Sequence, residues 1–166
     1  AVWLRQFPHS SQSAVINTST LTLAWQGTAL VAFPLLITWI NDTLAYFVGR
    51  AIGKHKLIPR VSPGKTIEGA IAGLVGGVIT AIVLGRTVLV PHLGIDASLL
   101  MWGVAGAIVA AVAQIGDLVE SLLKREAGVK DSGTLLPGHG GVLDRFDALF
   151  FSVPAAYWLL RWLGLH

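Results

Sequence analysis

Long apolar stretches alternate with short polar ones along this chain, and this alternation constrains the fold more than any other feature. The apolar stretches cover about residues 24–48, 68–90, 98–123 and 145–165. Each has close to the roughly 20 residues that an α-helix needs to cross the hydrocarbon core of a bilayer. Charged residues make up only 13% of the chain, about half the share of a typical soluble domain. We therefore predict an all-α integral membrane protein, a bundle of about four transmembrane helices with polar loops on the cytoplasmic side.

The polar segments define the predicted organisation and topology. Residues 1–23 are rich in Ser and Thr and are expected to form an extramembrane lead-in, followed by one transmembrane domain over 24–166. Loops 50–67 and 124–144 carry most of the cations, so the positive-inside rule places both in the cytoplasm, with 91–97 outside. The chain starts at Ala1 without Met or a signal-peptide pattern, which we interpret as a trimmed chain or a fragment.

Two functional classes are disfavoured by the same features. The net charge of +3 and the pI near 9.6 could indicate a nucleic-acid-binding protein. We expect no nucleic-acid partner, because the cations cluster in the two loops between apolar spans. The absence of cysteine excludes disulfides and thiolate metal sites.

The predicted topology gathers polar side chains from four helices near the cytoplasmic face: Asp42, Lys65, Asp117, Glu120, Asp144 and Asp147. Carboxylates within membrane spans are rare and are functional candidates by default. The spacing of Asp117, Glu120 and Ser121 puts them on one helix face. Acids brought this close repel one another unless a cation or protons intervene, which indicates a metal site. The alternative is that each acid pairs with a nearby cation, Asp144 with Lys124 or Glu120 with Arg125.

Two glycine-containing turns are candidate phosphate sites. In the first, Gly140 and Gly141 allow backbone N–H groups to approach an anion, and His139 either binds a phosphate or only satisfies the turn. In the second, Ser62 or Thr66 can cap the following helix. Lys65 would there meet a phosphate at the helix N-terminus. The alternative for Lys65, and more so for the exposed-loop cations Lys54, Lys56 and Arg60, is a membrane-surface charge that attracts anionic lipid.

A stripe of small residues, Gly69, Gly73 and Gly77, recurs every four positions in the second span. Such a stripe lets another helix approach closely. We predict a packing role, either within one subunit or between subunits.

The order S-x-x-K-R-x(4)-K-D-x-G-x(3)-P-G-H-G-G-x-x-D-R-x-D, from Ser121 to Asp147, resembles the signature of the phosphatidate cytidylyltransferase family. The segments N-D-x-x-A-Y-x-x-G-R from Asn41 and S-P-x-K-T-x-E-G from Ser62 resemble two further blocks of that family. The resemblance covers roughly Phe33 to the C-terminus. Family members generally carry further hydrophobic segments before this region.

The resemblance implies a reaction in which CTP and phosphatidate give CDP-diacylglycerol and pyrophosphate, with residues 24–166 as the catalytic domain. It implies Mg²⁺ held by Asp117 and Asp144, with Glu120 as a further candidate ligand, and a second cation such as K⁺. The implied catalytic set is completed by Lys124, Arg125, Lys130, Asp131, His139, Arg145 and Asp147. The implied ligand-binding set is Asn41, Asp42, Lys65, Thr66, Ser121, Gly140 and Gly141. Membrane lipid is an expected partner, a homodimer is compatible with the glycine stripe, and the expected location is the bacterial inner membrane.

Two other functions remain open from the sequence. One is a CTP-dependent polyprenol or phytol kinase of the same superfamily, which would share helices and some acidic motifs. The other is an ion pathway or transporter lined by Asp42, Asp117 and Asp147. A transporter predicts polar residues through the membrane thickness, whereas here they crowd at one end.

Overall fold

The described part of the chain contains five α-helices and one short hairpin. The computed structural model describes residues 18–95, 97–129 and 143–164, with side chains in 25–95, 97–129 and 148–164. The elements in chain order are α1 (Thr18–Ile52), β1 (Lys56–Ile58), β2 (Ser62–Thr66), α2 (Ile67–Leu84), a π-helical turn (Gly85–Leu89), α3 (Val90–Leu93), α4 (Leu99–Glu126) and α5 (Leu143–Trp162).

Within the described residues, three helical segments are long and apolar enough to cross a membrane: Trp25–Ile52, Ile67–Leu93 and Leu99–Glu126. Each has 27 or 28 residues, about 40 Å at 1.5 Å per residue, against a hydrocarbon core of about 30 Å. The chain is an integral membrane protein, and the prediction of an all-α membrane bundle is confirmed. The 20-residue helix α5 matches the fourth predicted span in position, but it is not among these three segments.

Helix boundaries follow local capping signals. Thr66 precedes α2 in an extended conformation, and its side chain accepts a hydrogen bond from the Gly69 N–H, so the predicted N-cap is confirmed. Ser98 caps α4 in the same way through Met101. Helix α1 begins six residues earlier than the predicted first span, at Thr18, so the end of the predicted polar lead-in is helical. Residues 1–17 lie outside the described part of the chain.

The glycine stripe of α2 packs against α1. A Cβ on Gly73 would lie 2.6 Å from Asn41 Oδ1 of α1, and one on Gly77 would lie 3.4 Å from Ile37 Cγ2 of α1 and 2.6 Å from Ala110 Cβ of α4. Gly69 faces Ala45 one turn further along α1. The residue numbers of the contacts decrease along α1 as those of the glycines increase along α2, so the two helices are antiparallel. The packing prediction is confirmed, and the stripe is used inside one subunit.

The buried core lies between these helices and α4. Phe33 of α1 and Trp102 of α4 meet edge to face with ring centroids 5.9 Å apart, and both are buried. A Cβ on Gly85 would clash with the indole of Trp102, so the π-helical turn needs glycine there. Helix α5 joins α1 through a buried hydrogen bond of 3.1 Å from Thr38 Oγ1 to Ser152 Oγ.

The hairpin β1–β2 was not predicted and replaces part of the expected loop 50–67. Lys56 pairs with Thr66 and Ile58 with Ser62 in antiparallel register. The Ile67 N–H donates to the His55 carbonyl at 2.9 Å, which ties the base of the hairpin to the start of α2. The hairpin thus folds back over the polar ends of the helices.

Candidate active site

A cleft of about 640 Å³ opens between the C-terminal half of α1, the hairpin, the start of α2 and the second half of α4. Its polar lining includes three cations and two carboxylates: Arg50, Lys56, Lys65, Asp42 and Asp117. Glycines and small residues of α1 and the hairpin line much of the remainder. The cleft lies where the predicted topology gathers the polar groups, and of the four residues expected there whose side chains the structure describes it holds three, Asp42, Lys65 and Asp117.

Its inner wall carries an ion pair between two distant parts of the chain. Lys65 Nζ of β2 lies 2.5 Å from Asp117 Oδ2 of α4. Both side chains are about one-third exposed, so the pair is accessible from the cleft. Ser121 Oγ lies 3.5 Å from Asp117 Oδ1, which confirms that these two residues share a helix face, although Ser121 does not line the cleft.

An amide network joins the three helices beside the cleft. Gln114 Nε2 donates to Asn41 Oδ1 at 2.7 Å and to the Ala70 carbonyl at 2.9 Å. Asn41 Nδ2 in turn donates to Asp42 Oδ1 at 3.0 Å. Asn41 is fully buried and does not line the cleft, whereas Asp42 and Gln114 do. Gln114 of α4 therefore links α1 and α2, and Asn41, predicted to bind ligand, joins this network and orients Asp42.

Thr66 lies where α1 and the hairpin approach most closely. A Cβ on Gly53 would lie 2.6 Å from Thr66 Oγ1, and one on Gly49 would lie 2.8 Å from it. Thr66 lines the cleft, but its hydroxyl oxygen already accepts the Gly69 N–H. The structure gives this predicted binding residue a capping role and brings its neighbour Lys65 to the cleft.

Glu68 is a site-supporting residue that the sequence analysis did not select. Its carboxylate accepts the His55 backbone N–H at 3.3 Å and contacts His55 Nδ1 at 2.7 Å. These bonds clamp the residue before β1 to the first turn of α2. The only sequence signal was its place in the S-P-x-K-T-x-E-G block.

Besides Ser121, three further predicted residues at the end of α4 lie outside the cleft lining: Glu120, Lys124 and Arg125. Glu120 is buried and pairs with Lys124 at 3.0 Å. Arg125 Nε donates to the Val61 carbonyl at 3.4 Å and so contacts the hairpin turn. The alternative pairing of Glu120 with Arg125 is not found, since Lys124, one turn along the helix, is the partner.

The remaining predicted site residues are not tested by the structure. Lys130, Asp131, His139, Gly140 and Gly141 lie outside the described residues. Asp144, Arg145 and Asp147 lie in the first turns of α5, and their side chains lie outside the described part. Their roles stay predictions.

The donor chemistry of the cleft suits a hard divalent cation. Within the described residues no group of three or more His, Cys, Asp or Glu side chains is gathered in one place. Asp42 and Asp117 nevertheless supply carboxylate oxygens to a single cleft. Mg²⁺ commonly uses one or two carboxylates together with substrate phosphates and water. These residues fit such an ion, with the cations of the cleft available for phosphate oxygens.

The protein is a bundle of membrane helices, and a cleft lined by cations and carboxylates lies at one end of its spans. It therefore belongs to the class of intramembrane proteins with a polar site. The chain belongs to the cytidylyltransferase family, whose sequence profile matches residues 5–163.

Curated relatives that are all named phosphatidate cytidylyltransferase are similar to this chain over most of its length. The chain is 44% identical over 131 residues to a phosphatidate cytidylyltransferase of Staphylococcus saprophyticus, covering 78% of this chain and 48% of the relative. For phosphatidate cytidylyltransferases of Staphylococcus haemolyticus and Staphylococcus aureus the identities are 46% over 130 residues and 45% over 131 residues, covering 77% and 78% of this chain and 47% and 48% of those relatives. The chain spans about half the length of the curated relatives it matches.

One solved structure, described as an intramembrane enzyme for archaeal membrane lipids biosynthesis, is similar with a TM-score of 0.49 and 20% identity. The similarity covers 75% of this chain and 77% of that chain.

Proposed function

We propose that this chain carries out transfer of CMP from CTP to phosphatidate, giving CDP-diacylglycerol and pyrophosphate. The observation that supports this most is the convergence of Lys65 and Asp117, from β2 and α4, in one cleft at the end of the membrane spans. Membership of the cytidylyltransferase family and the name shared by its relatives support the same reaction.

The reaction needs charge neutralisation and positioning more than covalent chemistry by the protein. A phosphate oxygen of phosphatidate attacks the α-phosphorus of CTP, a new P–O bond forms, and the bond to the β-phosphate oxygen breaks. Pyrophosphate carries away the bonding electron pair. In this proposal Lys65 offsets the negative charge that develops on the phosphates, and Asp42 and Asp117 hold a cation; their shared position in the cleft lining supports these roles. No side-chain nucleophile is required.

Mg²⁺ is the proposed ion, with Asp117 as a principal ligand and Asp42 as a second carboxylate from the cleft. From the sequence, Asp144 is proposed as a further ligand, and K⁺ as an additional cation. When bound, Mg²⁺ would polarise the phosphoryl oxygens and neutralise their charge. The role of the chain is to present the carboxylates in a cleft whose cations hold the phosphates.

The proposed setting is the bacterial inner membrane, with the cleft facing the cytoplasm. The cations of loops 50–67 and 124–144 support this orientation. Phosphatidate would arrive from the lipid and CTP from the cytoplasm, with no nucleic-acid partner. A homodimer is retained as a proposal, but the glycine stripe does not support it, because α1 occupies that stripe.

Transfer of label from CTP tests the proposal. Detergent-solubilised protein is incubated with phosphatidate, Mg²⁺ and CTP labelled at the α-phosphate, and label is counted in the chloroform-soluble product. We expect labelled lipid, lost with a chelator and with Asp117→Asn. Label from the γ-phosphate appearing on a lipid alcohol, with none from the α-phosphate, would assign the chain to the kinases instead.

A further inference from the structure

The cleft contains two sets of cations with different surroundings. Lys65 is paired with Asp117. Arg50 and Lys56 also line the cleft, yet neither forms an ion pair with an acid in 25–95, 97–129 or 148–164. The positive charge of these two side chains is therefore not offset by the described carboxylates.

Arg50 and Lys56 are brought together by the packing of α1 on the hairpin. Gly49, next to Arg50, approaches Thr66 closely, and Thr66 is the register partner of Lys56. Lys56 and Thr66 therefore lie opposite each other in the hairpin, beside the end of α1 that carries Arg50, and all three line the same cleft as Lys65.

The side chain of Arg50 is held by a neutral partner. Its Nη1 donates to the Tyr46 hydroxyl at 2.9 Å, one turn earlier on α1. A guanidinium has five N–H donors in a planar fork that matches phosphate oxygens. A single phenol leaves most of those donors for a ligand while fixing the direction of the side chain.

The position along α1 suits the headgroup of a lipid. Arg50 lies in the last turn of α1, at the end of the membrane-spanning segment Trp25–Ile52. Side chains at the end of a span lie near the depth of lipid headgroups. Tyr46 and Phe47 beside it are 58% and 63% exposed, so apolar surface adjoins the cations, as acyl chains require and a nucleotide does not.

We propose that Arg50 and Lys56 form a phosphate subsite for the phosphomonoester of the lipid substrate, distinct from the Lys65–Asp117 pair that serves the nucleotide and its metal. This subsite rests on the proposed function. A phosphomonoester carries more negative charge than the phosphodiester of bulk lipids, so two cations that form no ion pair with the described acids favour it. The sequence analysis treated Lys56 like Lys54 and Arg60, as membrane-surface charge, and the structure separates Lys56 from both.

Steady-state kinetics in mixed micelles test the subsite. Arg50→Gln and Lys56→Gln are each expected to raise the KM for phosphatidate at least tenfold and to leave the KM for CTP within twofold. Arg50→Lys keeps the charge but loses the planar fork, so an intermediate KM is expected. Tyr46→Phe removes the hydrogen bond and keeps the cation, and is expected to raise the KM for phosphatidate only a few-fold.

Lys54→Gln and Arg60→Gln are the matched controls, because both residues are exposed cations of the same segment and neither lines the cleft. Their KM values for both substrates should stay within twofold of wild type. Equal losses in all four variants would overturn the subsite in favour of general attraction to anionic lipid. A raised KM for CTP with an unchanged KM for phosphatidate would assign the two cations to the nucleotide.

A binding measurement separates failure of the subsite from failure of the proposed function. Fluorescent short-chain phosphatidate and phosphatidylglycerol are titrated in micelles without CTP, so no turnover is needed. Preference for phosphatidate that is lost in Arg50→Gln supports the subsite even if no CMP transfer is found. Equal binding of the two lipids by the wild-type protein would overturn the subsite even if transfer occurs.

Discussion

Lys65 and Asp117 neutralise each other across the cleft, with Nζ and Oδ2 2.5 Å apart. A phosphate that pairs with Lys65 would leave the Asp117 carboxylate without its partner. A cation that binds Asp117 would leave the Lys65 ammonium without its partner. Unpaired charges in a half-buried cleft cost free energy. Under the proposed function, binding of CTP and binding of Mg²⁺ are therefore coupled through this pair.

This coupling predicts non-additive effects of substitution. Lys65→Met and Asp117→Asn should each lower kcat/KM for CTP by roughly 10- to 100-fold or more, since each removes a charged partner of the ligand. The double variant should lose less than the product of the two single losses. Kinetics of all four proteins give the coupling energy. Strict multiplication of the two losses would show that the residues act independently.

Glu120 and Asp117 should differ in their dependence on Mg²⁺. Glu120 pairs with Lys124 outside the cleft lining, so Glu120→Gln is expected to lower thermal stability and to leave the Mg²⁺ concentration for half-maximal rate within about twofold. Asp117→Asn should either abolish activity or strongly raise the Mg²⁺ concentration needed for half-maximal rate. Magnesium titrations of the two variants decide this. An increase of tenfold or more for Glu120→Gln would restore Glu120 as a metal ligand, as the sequence analysis proposed.

Gly73 is expected to be intolerant of a side chain. A Cβ there would lie 2.6 Å from Asn41 Oδ1 and 3.1 Å from Gln114 Nε2, so Gly73→Ala should separate α1 from α2 and lower stability by about 1–3 kcal/mol. Gly27→Ala is the matched control in α1, because nothing lies within 4 Å of its added Cβ. Thermal unfolding in detergent measures both. A Gly73→Ala protein as stable as Gly27→Ala would contradict the observed packing.

The hairpin should loosen when its clamp is removed. Glu68→Ala takes away the acceptor for the His55 backbone N–H and ring nitrogen, so trypsin should cut faster after Lys54, Lys56 and Arg60. Activity should fall with it, because Lys65 is carried by the same hairpin. Glu126→Ala, at the exposed end of α4, is the control. Unchanged cleavage in Glu68→Ala would show that strand pairing alone holds the hairpin.

The helices, and the end of the bundle at which the cleft lies, followed from the sequence because both depend on patterns within single elements. Apolar length predicts the spans, and charge bias gathers Asp42, Lys65 and Asp117 at one end. The shared face of Asp117 and Ser121 follows from helical spacing. Thr66 as a cap follows from its residue type.

Features that depend on contacts between distant elements could not be predicted in the same way. The strands of the hairpin are only three and five residues long, and their pairing is supported by Glu68 and Ile67 of α2 rather than by an alternating pattern. Lys65 pairs with Asp117, and Lys56 lines the cleft while Lys54 does not, because of how the hairpin packs on α1. The sequence pattern within one segment predicts neither of these two contacts.

The buried hydrogen bond between Thr38 and Ser152 has a consequence for the order of assembly during synthesis. All described residues that line the cleft lie between Asp42 and Leu118, so the cleft can take shape while the ribosome is still making α5. Thr38 then lacks its hydroxyl partner until α5 packs against α1. Packing of α5 would thus stabilise the described part of the cleft after its other helices have met, and a chain stalled before Ser152 would lack the hydrogen bond that joins α1 to α5.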